Sequence, residues 1–118
     1  MPWVLAVCAF LLRCLNWDQV FVNGSVRLVA ADTFYHMRRV GLALAHGFRI
    51  PLFDPYMNYP SGFACNWTPL MDWAVAAPAW LIGGGRPSDY VVDAVGALVP
   101  PLLGALTVPV VYAFARRL

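Results

Sequence analysis

Apolar residues divide the chain into three zones, and the first zone covers residues 1–22. It is apolar from Trp3 to Leu12 and is then interrupted by Arg13, Asn16 and Asp18. This stretch is shorter than the roughly 20 apolar residues that cross a bilayer. We predict a first transmembrane helix here, which crosses with the arginine facing protein or begins further upstream. An arginine at mid-membrane costs about 2.5–3.5 kcal/mol on insertion scales, so we expect its partner to be a helix outside this chain.

The last zone, residues 88–118, has the pattern of a second transmembrane helix. Tyr90–Phe114 is almost free of charge, and Ser88 is a favourable residue for a helix start. Membrane helices tolerate internal prolines, and this segment has three. Arg116 and Arg117 follow the apolar run, and the positive-inside rule then places both chain ends in the cytoplasm. Residues 23–87 would form an external loop.

That loop is rich in aromatic residues and proline, and disordered segments are poor in aromatics. We predict helices near residues 32–47 and 69–82, with Gly47 ending the first. The fold class is therefore an all-α membrane protein with two transmembrane helices and short surface helices in the long loop. The first surface helix should bury one apolar stripe and leave Arg38, Arg39 and His46 off it. The stripe consists of Phe34, Met37, Gly41, Leu44 and Phe48.

Composition supports an apolar environment. The chain is 61% hydrophobic and 12% charged, and its formal net charge is +2. A soluble domain carries about 25% charged residues. The few cations are scattered, which excludes the clustered basic face of a nucleic-acid-binding protein. Cys8, Cys14 and Cys65 contain no CxxC pair, so they indicate neither a zinc site nor a disulfide framework.

Asp32 is the first candidate for chemistry, because it lies where the outer end of the first zone meets the first surface helix. A carboxylate there can bind a hard divalent cation or accept hydrogen bonds from a substrate amide. It can also cap the helix, and the sequence pattern favours the cap; a capping carboxylate still has an outward oxygen. His36 lies one turn further on the same face. Arg38 and Arg39 could bind a lipid phosphate, although adjacent arginines near a membrane commonly meet headgroups.

Two further segments combine aromatic residues with Asn, Asp and Pro. Phe53–Gly62 and Asn66–Trp73 suit a loop that faces carbohydrate or peptide, and they equally suit an interfacial aromatic belt. Asn23–Ser25 and Asn66–Thr68 match the glycosylation sequon by pattern alone.

Taken together, these segments resemble the catalytic subunit of oligosaccharyltransferase of the archaeal and bacterial single-subunit kind. The resemblance runs from about Arg13 to Arg117 in consistent order. It is carried by Asp32–Arg38, Phe53–Pro60 and Trp67–Asp72. The family pattern Asp-Pro-Tyr-Tyr-His-x-Arg is met at Asp32, Tyr35, His36 and Arg38, whereas Thr33 and Phe34 depart from it.

The resemblance implies the N-terminal piece of a type-C glycosyltransferase, integral to the cell membrane and spanning it more than once. Such an enzyme moves an oligosaccharide from a polyprenyl phosphate or diphosphate lipid to the asparagine of Asn-x-Ser/Thr sequons. By resemblance, Asp32 is the catalytic residue that binds Mn²⁺ or Mg²⁺ and contacts the acceptor amide. Tyr35, His36 and Arg38 would bind substrate. The remaining ligands would lie outside this chain, which alone would be inactive.

Two alternatives stay open at this point. One is another type-C glycosyltransferase that uses a polyprenyl-phosphate sugar, although Trp67–Asp72 argues against it. The other is a small non-enzymatic membrane subunit whose aromatic residues only anchor it.

Overall fold

The computed structural model describes residues 1–117 of the chain. They are mostly helical and form two compact units. One unit combines Met1–Leu28 with the chain from Asp93 onward, and the other is Val29–Val92. The five helices are α1 (Pro2–Arg13), α2 (Trp17–Val20), α3 (Ala31–Ala45), α4 (Leu70–Ile82) and α5 (Asp89–Ala115). Four two-residue strands form two antiparallel pairs. In the first pair β1 (Phe21–Val22) lies beside β2 (Ser25–Val26), and in the second β3 (Phe53–Asp54) lies beside β4 (Phe63–Ala64).

The region predicted as one helix over residues 1–22 is divided in the structure. Helix α1 has 12 residues and is followed by a turn and by the four-residue α2. The break coincides with Asn16, whose polar side chain favours turns over helix interiors. At about 1.5 Å per residue, α1 measures about 18 Å, which is less than the roughly 30 Å of a bilayer core.

The first strand pair closes through a tight turn at Asn23 and Gly24. Both residues have positive φ, 51° and 76°, and the pairing register joins Val22 to Ser25. Positive φ at both central positions is the requirement of a type I′ hairpin turn, for which Asn-Gly is the preferred sequence. The prediction of an all-α chain missed this hairpin, although the dipeptide signals it.

Among the described residues, α5 is the one helix long and apolar enough to cross a membrane. It has 27 residues, and its most apolar 18-residue window has a mean hydropathy of 2.0. The Ser88 hydroxyl accepts a 3.4 Å hydrogen bond from the backbone N–H of Val91, which is the arrangement of an N-cap. The helix continues through Pro100, Pro101 and Pro109.

Helix α3 ends where the sequence predicts. Gly47 has φ 62°, and the N–H of Phe48 reaches back to the carbonyl of Ala43 at 2.7 Å, closing the helix as a Schellman motif does. The buried face of α3 is not the predicted one. Its buried residues are Arg39, Val40 and Ala43, which pack against α4, whereas Phe34 is 58% exposed. The prediction of a helix at this place is confirmed, and the prediction of which face of α3 is buried is wrong.

Arg13 has a helical neighbour inside this chain. A Cβ built at Gly104 of α5 would stand 2.7 Å from Nε of Arg13. The arginine side chain therefore rests on the bare backbone of the long apolar helix. Glycine leaves the space that the side chain needs, so α5 is one neighbour of Arg13, and the expected partner helix outside the chain stays a prediction.

Candidate functional site

Asp32 stands in the first turn of α3 and is exposed. The helix begins at Ala31, so the cap position is occupied by Ala30, and no side chain caps it. The prediction that Asp32 caps the helix is therefore wrong, because its carboxylate belongs to the turn beyond the cap. Within residues 1–117 the Asp32 carboxylate forms no ion pair. It is available to a ligand.

The buried centre of this unit is Asp72 of α4, whose side chain is 0% exposed. Its Oδ1 lies 2.7 Å from Nδ1 of His36, and its Oδ2 lies 2.9 Å from Nε of Arg39. The second contact is an ion pair by distance, but the N–H is not directed at the oxygen well enough to count as a hydrogen bond. Because a carboxylate only accepts, the Nδ1–H of His36 is the donor in this contact.

Arg39 is the second buried charge, at 4% exposure. Its guanidinium donates to Sγ of Cys65 and to the carbonyl of Trp67, each at 3.1 Å. Together with Asp72 it joins α3 to α4 and to the segment after β4. The expectation that Arg39 lies off the buried face and meets headgroups is wrong. The Asp72 carboxylate of α4 supplies the opposite charge that offsets the cost of burying Arg39.

Two aromatic side chains and a thiol lie beside this pair. The ring of Tyr35 meets Trp67 edge-on at 5.3 Å, and the imidazole of His36 stacks on the same indole at 5.9 Å. Burial, followed by a hydrogen bond to Cys65, raises the pKa of Tyr35 to about 12. Burial alone would raise the pKa of the Cys65 thiol. The Trp67 backbone, the Tyr35 hydroxyl and the charge of Arg39 outweigh it and lower that pKa below its usual value.

Arg38 is held in a separate ion pair. Its Nε and Nη2 donate to the two carboxylate oxygens of Asp54 at 3.0 and 3.3 Å, and the Tyr56 N–H donates to Asp54 at 2.9 Å. The guanidinium also lies 4.9 Å from the centre of the Tyr56 ring. The hydrogen bond from Arg38 lowers the pKa of Asp54, and the same contact raises the pKa of Arg38. The ion pair between Arg38 and Asp54 thus joins α3 to strand β3.

The structure therefore separates the predicted site residues. Asp32 is exposed, and Arg38 is paired with Asp54. His36 and Tyr35 lie beside the buried pair of Asp72 and Arg39. Their roles in catalysis and substrate binding stay predictions. Sequence reasoning missed Asp72, Arg39 and Asp54 as partners. One signal was available, since a lone carboxylate inside an otherwise apolar helix must meet a buried opposite charge.

The side chains near this site show whether the described residues could hold a divalent cation. Among residues 1–117, no three His, Cys, Asp or Glu side chains are grouped so that they could hold a metal ion. The Asp32 carboxylate, exposed and without an ion pair, has the hard oxygen donors that Mn²⁺ and Mg²⁺ prefer. Asp32 is thus the residue of the described chain that fits as a single ligand of such an ion.

Comparison with known proteins identifies relatives along most of the chain. Glycotransferase 1 and glycotransferase 2 of Archaeoglobus fulgidus, both dolichyl-phosphooligosaccharide-protein glycotransferases, are 36% identical over 107 residues and 31% identical over 109 residues. These matches cover 89% and 92% of this chain. The dolichyl-monophosphooligosaccharide–protein glycotransferase AglB of Haloferax volcanii is 31% identical over 108 residues, 91% of this chain. No known family model matches the chain, and no solved structure matches it.

All three relatives are named as glycotransferases that act on protein. The chain belongs to their family, that of the dolichyl-phosphooligosaccharide-protein glycotransferases, which confirms the resemblance found in the sequence. The chain spans 17% of the length of the two Archaeoglobus relatives and 10% of the Haloferax one.

Proposed function

We propose that this chain is part of a membrane oligosaccharyltransferase that moves an oligosaccharide from a polyprenyl phosphate or diphosphate lipid to asparagine in Asn-x-Ser/Thr sequons. The observation that carries the proposal is the match of about nine-tenths of the chain to three protein glycotransferases. Their names give dolichyl-linked oligosaccharides as donors and protein as the acceptor. The partners of this chain are then the lipid-linked oligosaccharide, an acceptor polypeptide and the bilayer.

Asp32 is the residue of this chain that we assign to the reaction. An amide nitrogen is a poor nucleophile, so the acceptor asparagine needs its N–H groups engaged while the new N–C1 bond forms and the bond from C1 to the phosphate oxygen breaks. An exposed carboxylate without an internal ion pair can accept those hydrogen bonds. The leaving phosphate departs with the lipid, and the amide nitrogen loses one of its two protons, which the leaving phosphate takes up.

Asp32 would also contribute one ligand to a bound Mn²⁺ or Mg²⁺. When bound, such an ion supplies positive charge near the phosphate that leaves. The contribution of the chain itself is to hold Asp32 in place. Helix α3 is fixed to α4 through Asp72 and to the β3–β4 loop through Asp54.

Tyr35, His36 and Arg38 follow Asp32 along α3, and we propose that they border the substrate site. His36 is the strongest of the three candidates. Its side chain is 35% exposed, and Asp72 fixes its orientation from behind. Arg38 is 43% exposed and is already paired with Asp54, so it would meet a substrate phosphate through donors that this pair leaves free.

The test is an activity assay on a chimaera in which this chain replaces the matching segment of glycotransferase 1 of Archaeoglobus fulgidus. We expect transfer of a lipid-linked oligosaccharide to a sequon peptide, detected by mass spectrometry, and loss of transfer after chelation of divalent cations. Asp32→Ala should reduce the rate by at least about 100-fold, since one electrostatic contact at a reacting group is worth about that much.

Asp89→Ala is the matched control, because Asp89 is also an exposed carboxylate in the first turn of a helix. It should leave the rate unchanged. Full activity of Asp32→Ala would remove Asp32 from the mechanism. A folded chimaera that transfers nothing would count against the proposed function as a whole.

A further inference from the structure

Arg13 is placed at an unusual depth against α5. It is the last residue of α1, and its side chain rests on Gly104. In α5, Gly104 lies two residues beyond the middle residue, Leu102, which is about 3 Å along the axis. If α5 crosses a bilayer with its centre at the midplane, Arg13 contacts it near the middle of the hydrocarbon core.

The guanidinium is hydrogen-bonded to its own helix. Its Nη1 donates at 3.2 Å to the carbonyl of Ala9, one turn back along its own helix. A long side chain that reached the interface would place the charge in water, and this contact holds it back along α1 instead. The position of the charge is thus set by the chain.

Arg13 takes no part in the three ion pairs, which join His36, Arg38 and Arg39 to carboxylates. Beside Arg13 lies a cavity of about 120 Å³ between the start of α2 and the middle of α5. Its wall is apolar apart from Arg13 and Asn16 and includes Trp17, Phe21, Leu98 and Pro101. Inside a membrane, ionisable side chains pair with opposite charges or with backbone carbonyls, and a negative group on an apolar body would suit both Arg13 and this groove.

We propose that the face formed by Arg13, Gly104 and this groove is the docking surface for a further membrane-spanning helix that carries a carboxylate near mid-depth. The apolar groove fits the side chains of such a helix, and the guanidinium pairs with its Asp or Glu. Proteins of this family contain much more chain than the part matched here, since the match spans 10–17% of their length. A lipid phosphate is a poorer fit, because headgroups lie at the interface and not at mid-depth. This surface is independent of the proposed chemistry at Asp32.

The test measures association of the chain with synthetic membrane peptides in phosphatidylcholine vesicles by fluorescence energy transfer. Three leucine-rich 23-residue peptides differ only at the central residue, which is Glu, Gln or Leu (a length of about 20 residues or more is needed to span). We expect the Glu peptide to bind at least about tenfold more tightly than the Leu peptide, with Gln intermediate. Arg13→Leu should abolish the preference for Glu, and Arg13→Lys should retain most of it.

Gly104→Val is a second probe, because its side chain would displace the Nε end of the Arg13 guanidinium and should weaken the preference without removing the charge. Arg117→Leu is the control, since this arginine follows the end of α5. It should leave the preference intact. Equal binding of all three peptides, or an unchanged Glu preference in Arg13→Leu, would overturn the proposal. Arg13-dependent association between two copies of the chain would assign the surface to self-association instead.

Discussion

At the scale of single residues, the Asp72 carboxylate decides how the loop unit packs. Its two oxygens receive a histidine and an arginine from α3, so two turns of that helix are fixed by one side chain of α4. The apolar contacts between the helices are small, with Val40, Ala43, Val75 and Ala76 among the most buried residues. Small side chains allow close packing but define orientation poorly. The buried charges therefore supply much of the specificity of this contact.

Removing the Asp72 carboxylate leaves Arg39 as an uncompensated buried cation. We expect Asp72→Ala to lower the free energy of unfolding by about 3–5 kcal/mol, which is the usual cost of breaking a buried pair by removing one partner. The measurement is denaturant unfolding of the chain in detergent, followed by near-ultraviolet circular dichroism. Buried Cys65, which contacts Arg39, should become reactive to a maleimide in the same variant.

Asp32→Ala is the matched stability control for this experiment. Its carboxylate is exposed and forms no ion pair within residues 1–117, so only a weak interaction with the helix dipole is lost. The change in unfolding free energy should stay below about 1 kcal/mol. If Asp72→Ala were as stable as this control, the buried carboxylate would not organise the unit.

At the scale of elements, the sequence predicts well where a helix begins and ends, and predicts poorly which face of the helix is buried. Gly47 ends α3 because a residue with φ 62° is needed there, and glycine is the residue that adopts it without strain. Ser88 begins α5 by a recognised cap chemistry. The buried face of α3 depends instead on Asp72, which lies 33 positions beyond Arg39 in the chain. A pattern that treats arginine as a surface residue cannot find a long-range ion pair.

Two glycines, one inside α3 and one just after its end, should respond in opposite directions to alanine. Gly47→Ala places a Cβ in the left-handed region and should destabilise the chain by about 1 kcal/mol. Gly41 lies inside the helix, and a Cβ there would meet nothing within 4 Å, so Gly41→Ala should stabilise by about 0.5–1 kcal/mol. Thermal unfolding of both variants in the same detergent checks this. Stabilisation by Gly47→Ala would mean that α3 does not end in this motif, and destabilisation by Gly41→Ala would mean that a Cβ at Gly41 lacks the free space.

At the scale of the whole molecule, the sequence alone indicated the family of the protein. The number of membrane crossings is still a prediction. The motifs at Asp32–Arg38 and Trp67–Asp72 carried the resemblance that the relatives confirm. The structure has one helix long enough to span, α5, and a shorter apolar helix, α1. Helix length alone cannot decide whether residues 1–22 cross, because α1 is followed by a short helix and a hairpin that can continue through protein.

Labelling from outside the cell can decide the number of crossings. We predict that residues 1–22 and α5 both cross, so that both chain ends are cytoplasmic and the unit Val29–Val92 is external. Cys8 and Cys14 are first replaced by alanine, while Cys65, at 2% exposure, stays as an unreactive thiol. Single cysteines are then introduced by Ser61→Cys in the loop, Pro2→Cys near the start and Arg117→Cys near the end. A membrane-impermeant maleimide applied to intact spheroplasts should label the loop variant, and label the two end variants only after permeabilisation. Labelling of the Pro2→Cys variant from outside would show that the first zone does not cross, since α1 and the loop unit would then share one side of the membrane.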